Sequence, residues 1–176
     1  MIATDVGALT PIRWKSLGGV GIVLLLLYTA MNVVAAIIVP WTLETRGGQG
    51  GGNYGVVIAK APEEHMLGMS YERLYAENPK LDKLLVNSML GMCSMMMAMA
   101  IAYFGVVWFG ARRGARWAAW VALISGVIWV PYYFIIAADM ARFGAPDTTR
   151  AAWMVAVFAM PAVLGSIFVL LGTKRT

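Results

Sequence analysis

Residues 16–40 read SLGGVGIVLLLLYTAMNVVAAIIVP, a run without a charged side chain. A hydrocarbon core of roughly 30 Å is crossed by about 20 apolar residues in a helix, so this run is long enough to span a membrane. Arg13 and Lys15 precede it, as in a secretory signal. The run exceeds the roughly 7 to 15 residues of a signal core, however, and more apolar residues follow the small-residue site at Val34 to Ala36, so a retained helix is expected. Three further stretches pass the same length test, at about 84–110, 117–138 and 151–171, against 17–40 for the first. With 60% hydrophobic and 13% charged residues, the chain reads as an all-α integral membrane protein. The fold expected is a four-transmembrane-helix bundle, one membrane domain over 1–176, with an extracytoplasmic amphipathic helix in the first external loop, about 41–83.

Charge placement sets the orientation. Arg13 and Lys15 precede the first span, Arg112, Arg113 and Arg116 lie between the second and third, and Lys174 and Arg175 follow the fourth. These short segments hold one acid, Asp5, whereas the other connections hold eight acids beside their basic residues. Short basic connections stay on the cytoplasmic side, so both termini are expected there, in a multi-pass protein of the cell (inner) membrane. The same asymmetry accounts for the net charge of +5 and gives no reason to expect nucleic-acid binding. Trp14, Trp41, Trp108, Trp117 and Trp153 fall at expected span ends, where an indole keeps its ring in the interface and its N–H hydrated.

The external loop contains GGQGGGNYG, residues 47–55. It lacks the lysine and the following serine or threonine of a phosphate-binding loop and reads as a flexible linker. APEEHMLGMSYERLYAENPK, residues 61–80, follows. Pro62 suits a first helical turn, Glu63 and Glu64 suit the positive end of a helix dipole, and Asn78-Pro79 makes a stop. Met66, Leu67, Tyr71, Leu74 and Tyr75 recur near helical spacing, which predicts one short amphipathic helix on the outer membrane face or capping the bundle. Pro79 then starts the second span with Asp82 in its first turn. Asp147 or Thr148 is expected to cap the fourth span. Pro131 and Pro161 are expected to bend the third and fourth.

Within the expected spans there is no Asp, Glu, Lys, Arg or His. Intramembrane ionisable groups usually mark ion pathways or proton relays, so the sequence argues against a proton-coupled pump and against acid–base catalysis in the bilayer. A lone cysteine, Cys93, excludes paired-thiol chemistry, and a lone histidine, His65, excludes a bis-histidine haem within one chain. His65 beside Glu63 and Glu64 could serve a metal or a proton transfer, but no second histidine or cysteine completes the set. That trio reads as a solvated helix start, and Asp139 as an interfacial cap. The expectation is no enzyme, no catalytic residue and no resident metal or cofactor.

The second span contains MLGMCSMMMAMA, residues 89–100. At 100° per residue, Met89, Met92, Met96, Met99 and Tyr103 share one stripe, while Gly91, Ser94, Ala98, Ala102 and Gly105 lie almost opposite. Small residues let helices approach closely in lipid, and the third and fourth spans offer matching rows in Ala118, Ala122, Gly126 and in Ala152, Ala156, Ala159. A tight bundle around the small face of the second span is therefore expected. The methionine stripe reads as packing, with a pocket or subunit interface for lipid or an apolar cofactor as the alternative. A Cu(I) set of Met92, Cys93 and Met96 has the spacing a soft metal needs.

The four-helix plan with RRGARWAAW, residues 112–120, leading into the third span resembles small bacterial membrane proteins of the DoxX-like kind. The resemblance implies the helix count and transfers no functional residue. Three functions remain open: an accessory, structural or assembly subunit of a larger membrane protein complex, in contact with lipids and other membrane subunits; a binder or transporter of lipid, quinone or another apolar ligand; and a Cu(I)-handling protein.

Overall fold

A computed structural model of the chain describes residues 11–45, 57 and 59–173, and all regular structure among them is helical. Helix α1 is Leu17–Thr45. It opens where the Ser16 hydroxyl accepts the Gly19 N–H at 3.2 Å, and it contains Pro40 near its end. The segment between α1 and the next long helix forms α2, Lys60–Leu67, and α3, Tyr71–Glu77. α4 is Pro79–Gly105, continued by a π turn over Val106–Gly110 and a 3-10 turn over Ala111–Arg113. Then come α5, Arg116–Val127; α6, Val130–Arg142; α7, Thr148–Val157; and α8, Met160–Gly172.

Three helical stretches are long and apolar enough to cross a membrane: Leu17–Thr42, Pro79–Arg113 and Arg116–Arg142. α7 and α8 are each shorter and pass the same test only as a pair, bent by 41° at their break. Pro161 stands in the first turn of α8 just after that bend, and Pro131 in the first turn of α6 after the break behind Val127. A proline ring clashes with the preceding turn and offers no N–H to it, so each expected bend appears as a new helix start.

The α2–α3 segment departs from expectation. One amphipathic helix was predicted; two form, because Gly68 adopts φ +69 and closes α2, and the Ser70 hydroxyl accepts the Arg73 N–H at 3.3 Å to open α3. Pro62 stands third in α2 rather than first. Asn78 and Pro79 do separate α3 from α4, and Asp82 lies in the first turn of α4. Asp147 takes the position ahead of α7 at φ 55 without a side-chain cap hydrogen bond, and Thr148 is buried. The expected linker at 47–55 lies outside the described residues.

By backbone contacts the chain falls into two compact units. The first comprises Met1–Ala30, Ala100–Ile128 and Ala159–Thr176. Its core centres on Ile22, Leu25, Val107, Ala118, Ala122 and Val169. Small residues bring its backbones together: a Cβ on Gly21 would lie 2.6 Å from the Gly165 carbonyl oxygen, one on Gly172 2.7 Å from the Gly18 Cα, and one on Gly126 2.5 Å from the Ala162 Cβ. The Tyr28 and Tyr103 rings meet at 5.1 Å, and the Tyr103 hydroxyl donates to the Ala122 carbonyl at 3.3 Å.

The second unit comprises Met31–Met99 and Trp129–Phe158. Here α6 packs on α7 with Phe134 edge-on to Trp153 at 5.0 Å, and α2 touches α6. The hairpin between α6 and α7 turns at Gly144, φ +80.

Candidate functional site

α4 carries the side chains singled out by the sequence, and its burial pattern divides them. Val86, Cys93, Ala100, Tyr103 and Val107 are buried, and at 100° per residue they define one inward stripe. Met89 and Met96 fall on this stripe and are half-buried. Met92 and Met99 lie on its shoulder and are 54% and 59% exposed. Tyr103 is the one member of the methionine stripe that is fully packed, because its ring meets Tyr28 and its hydroxyl satisfies a backbone carbonyl.

The small row points the other way. Gly91, Ser94, Ala98 and Ala102 are exposed and Gly105 is half-buried. A Cβ on Gly91 or on Gly105 would meet nothing within 4 Å. Ser94 turns its hydroxyl back to the Gly91 carbonyl at 2.7 Å, so its polarity is satisfied inside the helix. The bundle expected to close around this row is therefore not formed among the described residues. The matching rows are used elsewhere: Ala118 faces Gly110, Ala122 receives Tyr103, Gly126 meets Ala162, and Ala152 and Ala159 are buried while Ala156 is half-buried. The inward side of α4 went to the larger residues, which offer more surface for dispersion contact than glycine and alanine do.

Of the suggested soft-metal set, Cys93 is buried while Met92, one residue earlier, is exposed. Met96 shares the inward side with Cys93, so the turn divides the trio between two surroundings.

The α2–α3 segment holds a second constellation. Glu63, read from sequence as part of a solvated helix start, is 5% exposed. One carboxylate oxygen accepts the Val57 and Ala59 N–H groups, each at 3.0 Å, and the other accepts the Tyr71 hydroxyl. Glu64 accepts the Tyr71 N–H at 2.7 Å, and Lys60 pairs with Glu64 and Glu72. The Glu72 hydrogen bond raises the Lys60 pKa above the ordinary lysine range and lowers that of Glu72. Tyr71 and Tyr75 stack at 5.3 Å. Burial, with Asp82, Glu63 and Glu64 near, pushes the Tyr75 hydroxyl up to about 12. The carboxylates thus tie α2 to α3 across Gly68. His65 is exposed and lies near Gly144 of the α6–α7 hairpin, and Asp139 pairs with Arg142 at 3.7 Å on the surface. Among the described residues no group of three or more His, Cys, Asp or Glu side chains is placed to hold a metal ion.

No protein-family model, curated protein or solved structure matches this chain.

The role of Glu63 was missed because its partner Tyr71 lies beyond a helix break. The readable signal was Gly68 followed two residues later by Ser70, a stop and a cap in succession.

Proposed function

We propose that the chain is a non-catalytic integral membrane protein acting as an accessory or assembly subunit, and that the small face of α4 docks on a helix of another membrane protein. One contrast carries this reading. Gly21, Gly110, Gly126, Gly165 and Gly172 each stand where an added Cβ would come within 3 Å of a neighbouring atom, whereas Gly91 and Gly105 stand open. Helices in lipid associate through such small rows, because lipid tails offer no hydrophobic gain on burial. The row Gly91, Ser94, Ala98, Ala102 and Gly105 is a contact surface that no helix among the described residues uses. Basic short connections favour cytoplasmic termini, which places α2 and α3 outside.

Purification of the native protein in mild detergent, with a photo-cross-linker at Ala98, tests the proposal. The expected result is a stoichiometric membrane partner that co-purifies with the wild type, cross-links at position 98 and no longer co-purifies with A98L, whose own unfolding changes by no more than about 0.5 kcal/mol since Ala98 is exposed. Isolation as a lone small oligomer with no cross-link would overturn it. The exposure of Met92 and Met99 supports a second reading, in which an apolar ligand packs on the methionine shoulder. An extracted quinone or lipid of fixed stoichiometry, displaced in M92A/M99A, would favour that reading over the first.

A further inference from the structure

The first unit is electrostatically one-sided. Its described residues include Arg13, Lys15, Arg112, Arg113 and Arg116 and no Asp or Glu. The five cations are far apart in sequence, yet the fold gathers them. The Ile12 N–H donates to the Arg112 carbonyl at 2.9 Å, which fastens the segment before α1 to the turn after α4. The Arg112 guanidinium sits over the Trp108 ring at 4.3 Å and over the Trp14 ring at 5.5 Å. Gly114, at φ +80, turns the chain back so that Arg116 opens α5. The ion pairs among the described residues involve Lys60, Arg73 and Arg142, all in the other unit.

We infer that this turn is a binding surface for the headgroups of anionic phospholipids. Stacking between indoles holds a guanidinium by its faces and leaves its N–H edge for phosphate oxygens, which a planar fork can engage in pairs. Four of the cations are at least one-third exposed, and Arg112 is half-buried. Trp14, Phe109 and Trp117 are exposed beside them at 49%, 61% and 60%, the composition of a membrane interface with aromatic anchors. Unpaired cations next to a bilayer surface are attracted to anionic lipid, and five of them with no acid among the unit's described residues concentrate that attraction. The inference rests on membrane insertion but not on the docking partner proposed above.

The test uses the full chain reconstituted in nanodiscs of equimolar phosphatidylcholine and phosphatidylglycerol, with the lipid retained after mild detergent extraction quantified by mass spectrometry. The wild type is expected to retain phosphatidylglycerol enriched about three-fold over the bulk ratio, falling toward bulk as salt is raised. R113Q/R116Q should lose most of the enrichment, while R73Q/R142Q, which removes two cations of the second unit, should keep it. A wild-type ratio equal to bulk, an enrichment indifferent to salt, or an equal loss in R73Q/R142Q would overturn the inference. Should R113Q/R116Q fail to fold, the wild-type salt titration decides alone. A98L separates the two proposals, because it removes partner docking and leaves lipid enrichment unchanged.

Discussion

Glu63 is the residue whose surroundings differ most from a local reading. Its carboxylate accepts two backbone N–H groups and the Tyr71 hydroxyl in a buried position, so E63A strands three donors at once. Hydrogen bonds to a charged group are worth about 1.5–3 kcal/mol. Amide exchange at Val57 and Ala59 should therefore accelerate by about ten- to hundred-fold in E63A and less in E63Q, whose amide still accepts; unchanged protection would show that other contacts hold the segment. The same cluster has a pH window. Glu72 is held below its ordinary value, so its contribution is present at neutral pH and fades as pH falls through the lowered pKa. Lys60 is held above its ordinary value, so its contribution fades as pH rises through the raised one. Tyr75 acts in the same alkaline direction: its hydroxyl stays neutral to about 12 when folded and ionises near 10 when unfolded, so stability drops across that interval. Phenolate absorbance during an alkaline titration checks it, with the expected result that Y75F removes a tyrosine titrating near 12. Acidic residues in a first helical turn were legible; their burial was not, because it depends on a ring beyond the break at Gly68.

At the scale of elements, the crowded glycines of the crossing between α1 and α8 and the open ones of α4 predict opposite responses to one added methyl. In G21A the new Cβ would lie 2.6 Å from the Gly165 carbonyl oxygen and 2.8 Å from the Val169 nitrogen, both backbone atoms that cannot yield unless α1 and α8 part. Overpacking of this kind costs about 1–3 kcal/mol. G91A meets nothing and gains helix propensity, up to about 1 kcal/mol in its favour. Thermal unfolding in detergent should order the variants as G91A at or above wild type and G21A below it; the reverse order would mean that the Gly91 face is already in use inside the chain. Apolar length in 16–40 and the loop signals around Asn78 and Pro79 foretold where helices lie. The inward side of α4 was hidden because two stripes of comparable regularity compete on one wheel, and neighbours on other helices decide between them.

For the whole molecule, apolar length and charge placement predict a topology that labelling can check. In a C93A background, S70C should react with a membrane-impermeant maleimide added outside intact cells, and T173C should react only after the membrane is opened; labelling of T173C from outside would reverse the orientation. The all-helical class and three long apolar helices could be read from apolar length alone; the fourth expected span is a bent pair of shorter helices. The two-unit organisation could not, since it depends on contacts between segments from opposite ends of the sequence. That organisation also imposes an order on biogenesis. Gly21 is made well before Gly165, its close neighbour. Until α8 has been synthesised, the groove along Gly18 and Gly21 has no occupant, and non-local contacts of this kind form late. A nascent or truncated chain ending before Met160 thus displays an open small-residue groove that the finished protein conceals, a difference by which incomplete molecules can be recognised and removed.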